Sequence, residues 1–458
     1  MSIACIILAA GEGKRMRSSL AKPLHQVCGR TLIAHVLSYV RALEPEPICV
    51  VLGVAREAMK QALAGEKLEL VVQREQLGTG HAVLAAAHHF AGYDGDILVT
   101  CADIPLIRPE TLQALLAEHR ARGAAGTVLT AVYGDPTGYG RVVRDSSGLV
   151  TAIVEQRDAD EQTRAIREIN AGVYVFQAQK LFAALQGLQP NNAQGEYYLT
   201  DVVAALVAQG QTVAAMCARD PREVMGINDR VQLAAAEAEA RRRVCEQLML
   251  GGVTLIDPTN TYVEADVQVG EDTVIWPGAV LTGETTIGRN CTIGPHVQIG
   301  SCAIGDEAVI KQGSVLAESW FGREVEVGPY SHVRPGCVVG DRARVGTCSE
   351  MVRTRLGAGA KDQHFSYLGD AQVGEEANIG AGAITCNFDG KYKHKTKIGR
   401  KAFIGSDTVI VAPVVIGDEA LTAAGSVITG DVPDRSLAIA RSRQEIHKDW
   451  VSRRQKQS

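Results

Sequence analysis

The sequence has 458 residues, of which 46% are hydrophobic and 22% charged, with a formal net charge of -5. This length predicts two or three domains, and the weak negative charge gives no general attraction to nucleic acid or to an anionic membrane. No apolar run is long enough to span a bilayer. The 11 cysteines include no CxxC pair, which favours reduced thiols in a cytoplasmic protein over a disulfide framework or a zinc site.

The chain opens with an unbroken apolar run, residues 3–10. Such a run is typical of a strand buried on both faces of a mainly parallel sheet, and we do not interpret it as a signal peptide. It leads into loop 11–16, whose two glycines let backbone N–H groups approach an anion. The spacing is neither the Rossmann fingerprint nor the P-loop, and a plain turn remains the alternative. Lys22 is a second cation that we expect near the loop.

Strand and helix patterns alternate through the first half, which predicts an α/β domain. The apolar strand 96–101 is followed by Asp103 at the carboxyl edge, where open α/β sheets bind ligands. A carboxylate beside phosphate-binding loops suggests Mg²⁺, which takes one or two protein oxygens plus substrate phosphates. The alternative is that Asp103 caps the following helix. Further predicted elements are a strand at 47–52, a helix at 55–64, a strand at 69–73 and a helix that opens at 76–82.

The second half carries a six-residue hydrophobic period. Aliphatic residues recur every six residues from Val263 to Ile299, again within 304–345, and again within 373–416. A fixed hexapeptide period is typical of a parallel β-helix, whereas an all-β sandwich, the alternative, would show period-two alternation. The period is interrupted at about 347–372 and 385–397, and we expect both interruptions to be surface loops that carry function.

A helical segment is predicted between the two halves. Residues 229–250 are rich in Ala, Glu and Arg and contain no Gly, and Gly251 and Gly252 end the pattern. The three consecutive arginines in this segment are interpreted as a solvated face. The predicted organisation is an α/β domain over 1–228, a linker helix over 229–250, and a β-helix domain with a C-terminal tail over 251–458.

Taken in order, these motifs resemble the bifunctional UDP-N-acetylglucosamine pyrophosphorylase/glucosamine-1-phosphate N-acetyltransferases of bacteria. Segment 8–16 with Lys22 resembles the signature of sugar-1-phosphate nucleotidyltransferases. The six-residue period resembles the left-handed β-helix of hexapeptide-repeat acyltransferases. The resemblance extends from about residue 3 to residue 441. Further matching segments are 73–82, 135–141, Glu155, 168–172, 191–201 and 226–228.

The resemblance implies a fold, two activities and an assembly. The fold would be a Rossmann-like, mainly parallel α/β nucleotidyltransferase domain followed by a left-handed parallel β-helix. The C-terminal half would acetylate glucosamine-1-phosphate with acetyl-CoA. The N-terminal half would join N-acetylglucosamine-1-phosphate to UTP, which gives pyrophosphate and UDP-N-acetylglucosamine, a precursor of peptidoglycan and lipopolysaccharide. The chain would form homotrimers with active sites between neighbouring chains, and no nucleic acid or membrane partner is expected.

The resemblance also implies roles for residues of the first half. Arg15 and Lys22 would neutralise the triphosphate and the sugar phosphate, and Asp103 and Asn228 would hold Mg²⁺. Attack of a phosphate on the α-phosphorus of UTP brings anions together, so such a site needs cations and a metal rather than a covalent nucleophile. The uridine nucleotide would contact Leu8, Ala9, Ala10, Gly11, Gln73, Gly78 and Thr79, and the amino sugar would contact Gly140, Glu155 and Asn170.

In the second half the candidate catalytic residue is His364. Acetyl transfer to a sugar amine requires removal of a proton from the attacking nitrogen, and a histidine suits that task. A lone histidine is more often structural, but the first interruption and the resemblance favour a catalytic role. The resemblance implies that Arg334, Tyr367 and Asn378 bind glucosamine-1-phosphate, and that Ala381, Asn387, Phe388, Ser406, Ala424 and Arg441 line the acetyl-CoA groove.

One departure from the family pattern bears on acceptor binding. Val352 stands where the family has a phosphate-binding Lys. Arg353 is adjacent, but neighbouring residues of a strand face opposite sides. There are three smaller departures. The family usually has Thr at the position of Lys14 and Gly at the position of Ala102, and it has Pro-Lys where this chain has Lys22-Pro23.

Two other functions stay open. One is a single-activity nucleotidyltransferase whose β-helix only assembles chains or binds an effector, which Val352 favours. The other is a non-enzymatic trimeric scaffold with degenerate sites. The charged and catalytic candidates that both halves retain argue against this alternative. The basic C-terminal residues are expected to form a disordered tail or to contact coenzyme A phosphates. They are Lys448, Arg453, Arg454 and Lys456.

Overall fold

The computed structural model describes residues 2–53 and 56–455, with backbone only at Arg56. Lys456 of the basic tail lies outside the described residues. The chain forms two compact units, Met1–Ala240 and Arg241–Ser458. Within the described ranges, none of the helices combines the length and the apolar character that crossing a bilayer requires.

The first unit is built on a mainly parallel sheet, as predicted. Its strand order is β11-β7-β10-β6-β1-β4-β5, in which β10 alone runs antiparallel to its neighbours along this path, and β8 and β9 form an antiparallel extension beside β10. The strands are β1 (Ile3–Ala9), β2 (Gln26–Val27), β3 (Arg30–Thr31), β4 (Ile48–Leu52), β5 (Glu69–Val72), β6 (Asp96–Cys101), β7 (Gly126–Val132), β8 (Arg141–Arg144), β9 (Val150–Val154), β10 (Glu168–Gln177) and β11 (Val213–Cys217).

Apolar residues of strand β1 alternate between the two faces of the sheet. Cys5 and Ile7 belong to one buried cluster, while Ala4 and Ile6 belong to the cluster on the other face. Helices cover both faces, which explains the unbroken apolar run at the start of the chain. The helices of the chain are α1 (Leu32–Arg41), α2 (Arg56–Ala62), α3 (Thr79–Ala85), α4 (Pro109–Ala121), α5 (Glu161–Arg164), α6 (Ala178–Gln186), α7 (Asp201–Ala208), α8 (Arg230–Leu250) and α9 (Trp450–Gln455).

The loop after strand β1 leads into a short turn and not into an α-helix. Residues Lys14–Met16 form a single 3₁₀ turn. Gly13, which precedes the turn, has a φ of +64°, a conformation that glycine adopts without strain. Lys14 is exposed and pairs with the neighbouring Glu12. The loop therefore presents Arg15 and the nearby Lys22, rather than an α-helix N-terminus, to a ligand.

The second unit is a three-sided parallel β-helix, which confirms the prediction from the hexapeptide period. Each turn of the chain contributes one short strand to each of three parallel sheets. Face I contains Thr254–Leu255, Val274–Ile275, Thr292–Ile293, Val309–Ile310, Glu326–Val327, Arg344–Thr347, Lys361–His364, Asn378–Ile379, Phe403–Ile404, Leu421–Thr422 and Leu437–Ala438. Face II contains Tyr262–Val263, Val280–Thr282, Gln298–Gly300, Val315–Ala317, His332–Val333, Glu350–Val352, Tyr367–Gly369, Ile384–Cys386, Val409–Val411 and Val427–Ile428. Face III contains Gln268–Val269, Thr286–Ile287, Ala303–Ile304, Trp320–Phe321, Val338–Val339, Arg355–Leu356, Ala371–Val373, Thr396–Ile398 and Val414–Ile416.

The aliphatic residues of the period fill the interior of the β-helix. One side chain per strand points inward and stacks on the equivalent residue of the next coil, as Ile275 does on Ile293. Both are completely buried. This column packing requires parallel strands in register, and it explains why one aliphatic residue recurs every six positions.

The prediction that 347–372 is an inserted loop is wrong. The coils continue through this segment, and the inward positions are held by Met351, Leu356, Asp362 and Leu368. The period is obscured because a carboxylate occupies one inward position and because two steps have five residues instead of six. The second interruption is a real insertion, since residues 387–395 leave the coil between Ile384–Cys386 and Thr396–Ile398.

Candidate functional sites

A cavity of about 310 Å³ lies in the first unit. It is formed where strands β1 and β6 end, which is the carboxyl edge at which open α/β sheets bind ligands. Nearly all of the residues predicted to bind the uridine nucleotide and its phosphates line this cavity. They are Leu8, Ala9, Ala10, Gly11, Lys22, Gln73, Gly78, Thr79 and Asp103, and the lining also includes Gln76, Cys101, Ala102 and Glu196, for which no role was predicted.

Hydrogen bonds fix the segments that form the wall of this cavity. The side-chain amide of Gln73 donates to the carbonyl of Gly78 at 3.1 Å, and that of Gln76 donates to the carbonyl of Ala10 at 2.8 Å. Gly78 has a φ of +106°, and a Cβ there would lie 2.6 Å from the carbonyl oxygen of Tyr197. Only glycine fits this position. Segment 73–82 is therefore held rigidly against the loop that follows β1.

A charged cluster stands at the edge of the cavity. Lys22 Nζ donates to the carboxylate of Asp103 and, at 2.9 Å, to Oδ1 of Asn228. Arg15 Nη2 donates to the same Oδ1 at 2.9 Å. The backbone N–H of Ile227 donates to the carbonyl of Asp103 at 2.9 Å, which holds the end of β6 beside the segment before α8. The structure thus brings together all four residues predicted to handle phosphate and metal.

The oxygens of Asp103 and Asn228 form a donor set that fits Mg²⁺. Both oxygens are directed at one cation, the ammonium group of Lys22. Mg²⁺ is bound through one or two protein oxygens together with substrate phosphates. In the described ranges, no three His, Cys, Asp or Glu side chains cluster as a metal site. A metal held here would therefore complete its coordination with phosphate and water oxygens.

The residues predicted for the amino sugar form a second group in the same unit. The backbone N–H of Asn170 donates to the carbonyl of Gly140 at 2.9 Å, and Thr200 Oγ1 donates to Glu155 Oε1 at 3.2 Å. A Cβ at Gly140 would lie 3.5 Å from both carboxylate oxygens of Glu155. Burial raises the pKa of Glu155, against the opposing hydrogen bond from Thr200. A side chain at Gly140 would therefore crowd the half-buried carboxyl group of Glu155.

Cys101 connects these two groups. It is the last residue of β6, and its thiol donates to the carbonyl of Gly172 at 3.8 Å. Its pKa is raised to about 12, mainly by burial; the charges of Asp103 and Glu155 contribute to the rise, and that of Lys22 opposes it. The charges of Asp103 and Glu155 both act on the Cys101 thiol. The charged cluster and the amino-sugar group therefore border one another. The apolar strand around Cys101 gave no indication that this residue lies at the site. Gln76, in contrast, could have been predicted as a site residue because it lies within segment 73–82.

In the second unit, the corner between faces I and II carries a column of predicted residues. His364 is exposed at this corner. Its carbonyl accepts from Gly382 N at 3.4 Å, the carbonyl of Ala381 accepts from Asp407 N at 2.7 Å, and that of Ser406 accepts from Gly425 N at 2.8 Å. Successive corners are thus stacked by backbone hydrogen bonds, and the column contains His364, Ala381, Ser406 and Ala424.

The opposite edge of face II carries two further acetyl-CoA candidates, Asn387 and Phe388. Asn387 is buried, and its Nδ2 donates to Asp370 Oδ2 at 2.5 Å. Phe388 begins the inserted loop, forms an isolated bridge with Lys393 and exposes its ring. The residues Tyr367–Gly369, about 10 Å of extended strand, separate this edge from His364. One chain therefore does not bring all of the predicted acetyl-transfer residues together.

The three acceptor-binding candidates lie on faces I and II. Tyr367 starts a face II strand and is in register with Glu350 of the preceding coil. Arg334 Nη1 donates to Glu350 Oε1 at 3.0 Å. Asn378 lies on face I, in register with Lys361. Arg441 is exposed and follows the last face I strand.

The position expected to carry a phosphate-binding cation is apolar and closed. Val352 is only 5% exposed. Arg353 donates to both carboxylate oxygens of Asp370, at 2.7 and 2.8 Å, and this pairing holds the pKa of Asp370 below its ordinary value. Arg353 is thus engaged in a bidentate pair at the edge of the face and does not itself supply an unpaired cation beside Val352.

His394 pairs with an acidic residue of the same inserted loop. Its Nε2 lies 2.7 Å from Asp389 Oδ2. Asp389 also accepts from the backbone N–H groups of Lys391 and Tyr392, and these bonds hold its pKa well below the ordinary value. His394 therefore helps to shape the inserted loop.

Comparisons with known proteins agree with this layout. Family profiles described as the MobA-like NTP transferase domain, the GMPPB C-terminal domain and the bacterial transferase hexapeptide (six repeats) match residues 5–243, 261–356 and 395–430. A solved UDP-glucose pyrophosphorylase complexed with UDP-glucose covers 53% of this chain and 100% of its own, with 16% identity and a TM-score of 0.45, which is too distant to support a conclusion.

Curated relatives match almost the whole chain. The bifunctional protein GlmU of Geobacillus sp. (strain WCH70) is 49% identical over 448 residues, which cover 98% of this chain and 97% of that protein. The bifunctional protein GlmU of Pelobacter propionicus is 47% identical over 458 residues and covers 100% of both chains. The chain therefore belongs to the family of the bifunctional protein GlmU, transferases that join a nucleotidyltransferase domain to a hexapeptide-repeat β-helix.

Proposed function

We propose that the cavity of the first unit transfers uridylyl groups and that the edges of face II of the β-helix transfer acetyl groups. The substrates would be UTP and N-acetylglucosamine-1-phosphate in the first unit, and acetyl-CoA and glucosamine-1-phosphate in the second. The products would be UDP-N-acetylglucosamine, pyrophosphate and coenzyme A. The observation that carries this proposal is the placement of Lys22 between Asp103 and Asn228 at the mouth of the cavity.

In the uridylyl transfer, a phosphate oxygen of the amino-sugar phosphate attacks the α-phosphorus of UTP, and pyrophosphate leaves. Lys22 and Arg15 offset the negative charge of the two phosphate groups as they approach, which is the main requirement of phosphoryl transfer. Mg²⁺ bound by Asp103 and Asn228 would supply further charge neutralisation at the phosphates. Gly140, Glu155 and Asn170 would hold the amino sugar so that its phosphate faces this cluster.

In the acetyl transfer, the amine of glucosamine-1-phosphate attacks the thioester carbonyl of acetyl-CoA. The C–N bond forms, the C–S bond breaks, and coenzyme A leaves as its thiol. His364 would accept the proton that the attacking nitrogen loses, which requires the neutral imidazole. The exposed corner allows a bulky substrate to reach this side chain.

The acetyl transfer precedes the uridylyl transfer in this scheme. The product of the β-helix, N-acetylglucosamine-1-phosphate, is the acceptor for UTP in the first unit. UTP and acetyl-CoA are cytoplasmic metabolites, and we place both reactions in the cytoplasm. The product would feed peptidoglycan and, where present, lipopolysaccharide synthesis.

We propose a homotrimer in which a neighbouring chain completes each acetyl-transfer site. The separation of His364 from Asn387 and Phe388 across face II supports this arrangement, because the two edges can meet only if another chain contributes one of them. Exposed apolar side chains of the β-helix, among them Phe403 and Leu421 on face I, give further support.

The proposal is tested by following both reactions in one mixture of acetyl-CoA, glucosamine-1-phosphate, UTP and Mg²⁺. The native chain should form UDP-N-acetylglucosamine. A His364→Ala variant should form it only when N-acetylglucosamine-1-phosphate is supplied, and a Lys22→Met variant should accumulate N-acetylglucosamine-1-phosphate. A native chain that uses only preacetylated substrate would instead support the single-activity alternative, which the buried Val352 favours.

A further inference from the structure

The interior of the β-helix contains one buried acid close to His364. Asp362 is completely buried and occupies an inward position on face I. It is in register with Val345 on the preceding coil and Ile379 on the following coil. A carboxylate in an aliphatic column is destabilising unless its oxygens are hydrogen-bonded. The column would pack better with an aliphatic residue, so the presence of the acid calls for a reason other than packing.

The carboxyl group of Asp362 is only half satisfied. Its Oδ1 accepts a hydrogen bond from the hydroxyl of Ser366. Its Oδ2 is buried and has no hydrogen-bond partner among the described residues. Burial raises its pKa to about 6, against the opposing effect of the hydroxyls of Ser366 and Ser349. No charged side chain acts on this pKa within the part of the chain that the structure describes.

The hydrogen bond between Ser366 and Asp362 spans the corner that carries His364. Asp362 lies two residues before His364, and Ser366 lies two residues after it. Between them, Phe365 has a φ of +28°, in the left-handed region that Tyr330 and Cys348 also adopt at the equivalent corners of the preceding coils. The backbone of Phe365 is held on the other side by a hydrogen bond to the carbonyl of Thr347 at 2.8 Å. The side-chain bond from Ser366 to Asp362 adds a tie across this corner that involves side chains as well as backbone.

We infer that Asp362 is a positioning residue for acetyl transfer: its carboxylate holds Ser366, and this bond fixes the turn that directs His364 toward the acceptor amine. The inference rests on the proposed role of His364 as the base. Asp362 itself lies inside the β-helix and touches neither substrate nor His364's exposed ring. It acts on the reaction only through the geometry of the corner.

The main test is Asp362→Val, with acetyl transfer followed by release of the coenzyme A thiol. Valine matches the aliphatic column and leaves no unpaired oxygen, so the variant should unfold at the same or a higher temperature than the native chain. The positioning role predicts that kcat falls by about tenfold to a hundredfold while KM for acetyl-CoA stays within about twofold, because misplacement of a base slows the chemical step. Uridylyl transfer should be unchanged.

Two further variants separate the hydrogen bond from other effects. Asp362→Asn keeps an acceptor oxygen for Ser366 and should retain kcat within about threefold. Ser366→Ala removes the donor and should lower kcat about as much as Asp362→Val does. The double variant Asp362→Val/Ser366→Ala should be no slower than either single variant, since both remove the same bond. If Asp362→Val fails to fold, the contrast between Asp362→Asn and Ser366→Ala decides the question.

The outcomes distinguish this inference from the proposed function. An Asp362→Val chain with native stability and a native kcat would overturn the positioning role, as would a Ser366→Ala chain with a native kcat. A native chain that releases no thiol in the presence of glucosamine-1-phosphate would instead refute the acetyltransferase proposal on which the inference rests.

Discussion

The ammonium group of Lys22 donates a hydrogen bond to the side-chain oxygen of Asn228 at 2.9 Å, and it also pairs with Asp103. These residues come from three distant parts of the first unit: the 3₁₀ turn Lys22–Leu24, the segment after β6 and the segment before α8. Their convergence concentrates a cation and two side-chain oxygens at the mouth of one cavity. Such an arrangement suits the joining of two phosphate esters.

Lys22→Met should therefore abolish most uridylyl transfer and leave acetyl transfer intact. Removal of a preorganised charge from a phosphoryl-transfer site typically lowers kcat by about a hundredfold or more. The measurement is the rate of pyrophosphate release from UTP and N-acetylglucosamine-1-phosphate. Lys67→Met is a matched control, because Lys67 is exposed and pairs only with the exposed Glu46. Equal rates for the two variants would contradict the role of Lys22.

Glu155→Gln should weaken binding of the amino sugar. Glu155 is half-buried beside Gly140, and a carboxylate there forms stronger hydrogen bonds to sugar hydroxyl and amide groups than a carboxamide does. We expect KM for N-acetylglucosamine-1-phosphate to rise by about tenfold, which corresponds to the loss of one hydrogen bond to a charged group. KM for UTP should stay constant. Glu161→Gln, on the exposed helix α5, is the control and should change neither value.

Paired inactive variants can show whether two chains form each acetyl-transfer site. His364→Ala removes the candidate base at one edge of face II, and a double variant Asn387→Ala/Phe388→Ala alters the other edge. An assembly that contains only one of these two variants should be inactive in acetyl transfer. Co-expressed chains should recover about a quarter of native thiol release if each site takes one edge from each of two neighbours in a ring. Absence of any recovery would contradict the shared site.

Asp362 should make stability depend on pH in a defined direction. Between about pH 4 and about pH 6, the raised pKa of about 6 keeps this carboxyl group largely protonated in the folded chain, whereas in the unfolded chain, with an ordinary pKa near 3.8, it is already ionised. Its contribution to stability is therefore present at low pH and is lost as the pH rises from about 4 to about 6. The loss corresponds to about 3 kcal/mol for a shift of this size.

This dependence is measured as the difference in free energy of unfolding between the native chain and Asp362→Asn. The difference should favour Asp362→Asn progressively from pH 4 to pH 6.5 and level off above that. A constant difference across this range would show that the carboxyl group does not titrate in the folded state as the geometry requires.

The sequence predicted the architecture well wherever residues of the same type recur at regular positions that share the same environment. The β-helix followed from Ile275, Ile293 and their equivalents because each coil presents the same inward position to the same core. Likewise, the apolar run before loop 11–16 predicted a strand covered on both faces. In both cases, the pattern can be recognised within a short stretch of sequence, without knowledge of distant contacts.

Other features depend on contacts that no local pattern contains. The segment 347–372 was expected to be a loop because Asp362 interrupts the aliphatic series, yet a partner at Ser366 lets the carboxyl group occupy the inward position. The pairing of Arg353 with Asp370 joins successive coils, and it engages the cation that is adjacent to Val352 in the sequence. The position of Cys101 between two groups of substrate-binding candidates likewise depends on the folded sheet.

The most direct test of the account is release of coenzyme A thiol from acetyl-CoA, with and without glucosamine-1-phosphate, by the native chain and by His364→Ala. The account predicts release by the native chain that depends on the amino sugar and falls by at least about a hundredfold in the variant. Such a result would also show that acetyl transfer tolerates the buried Val352. A native chain that forms UDP-N-acetylglucosamine from preacetylated substrate but releases no thiol would contradict the account.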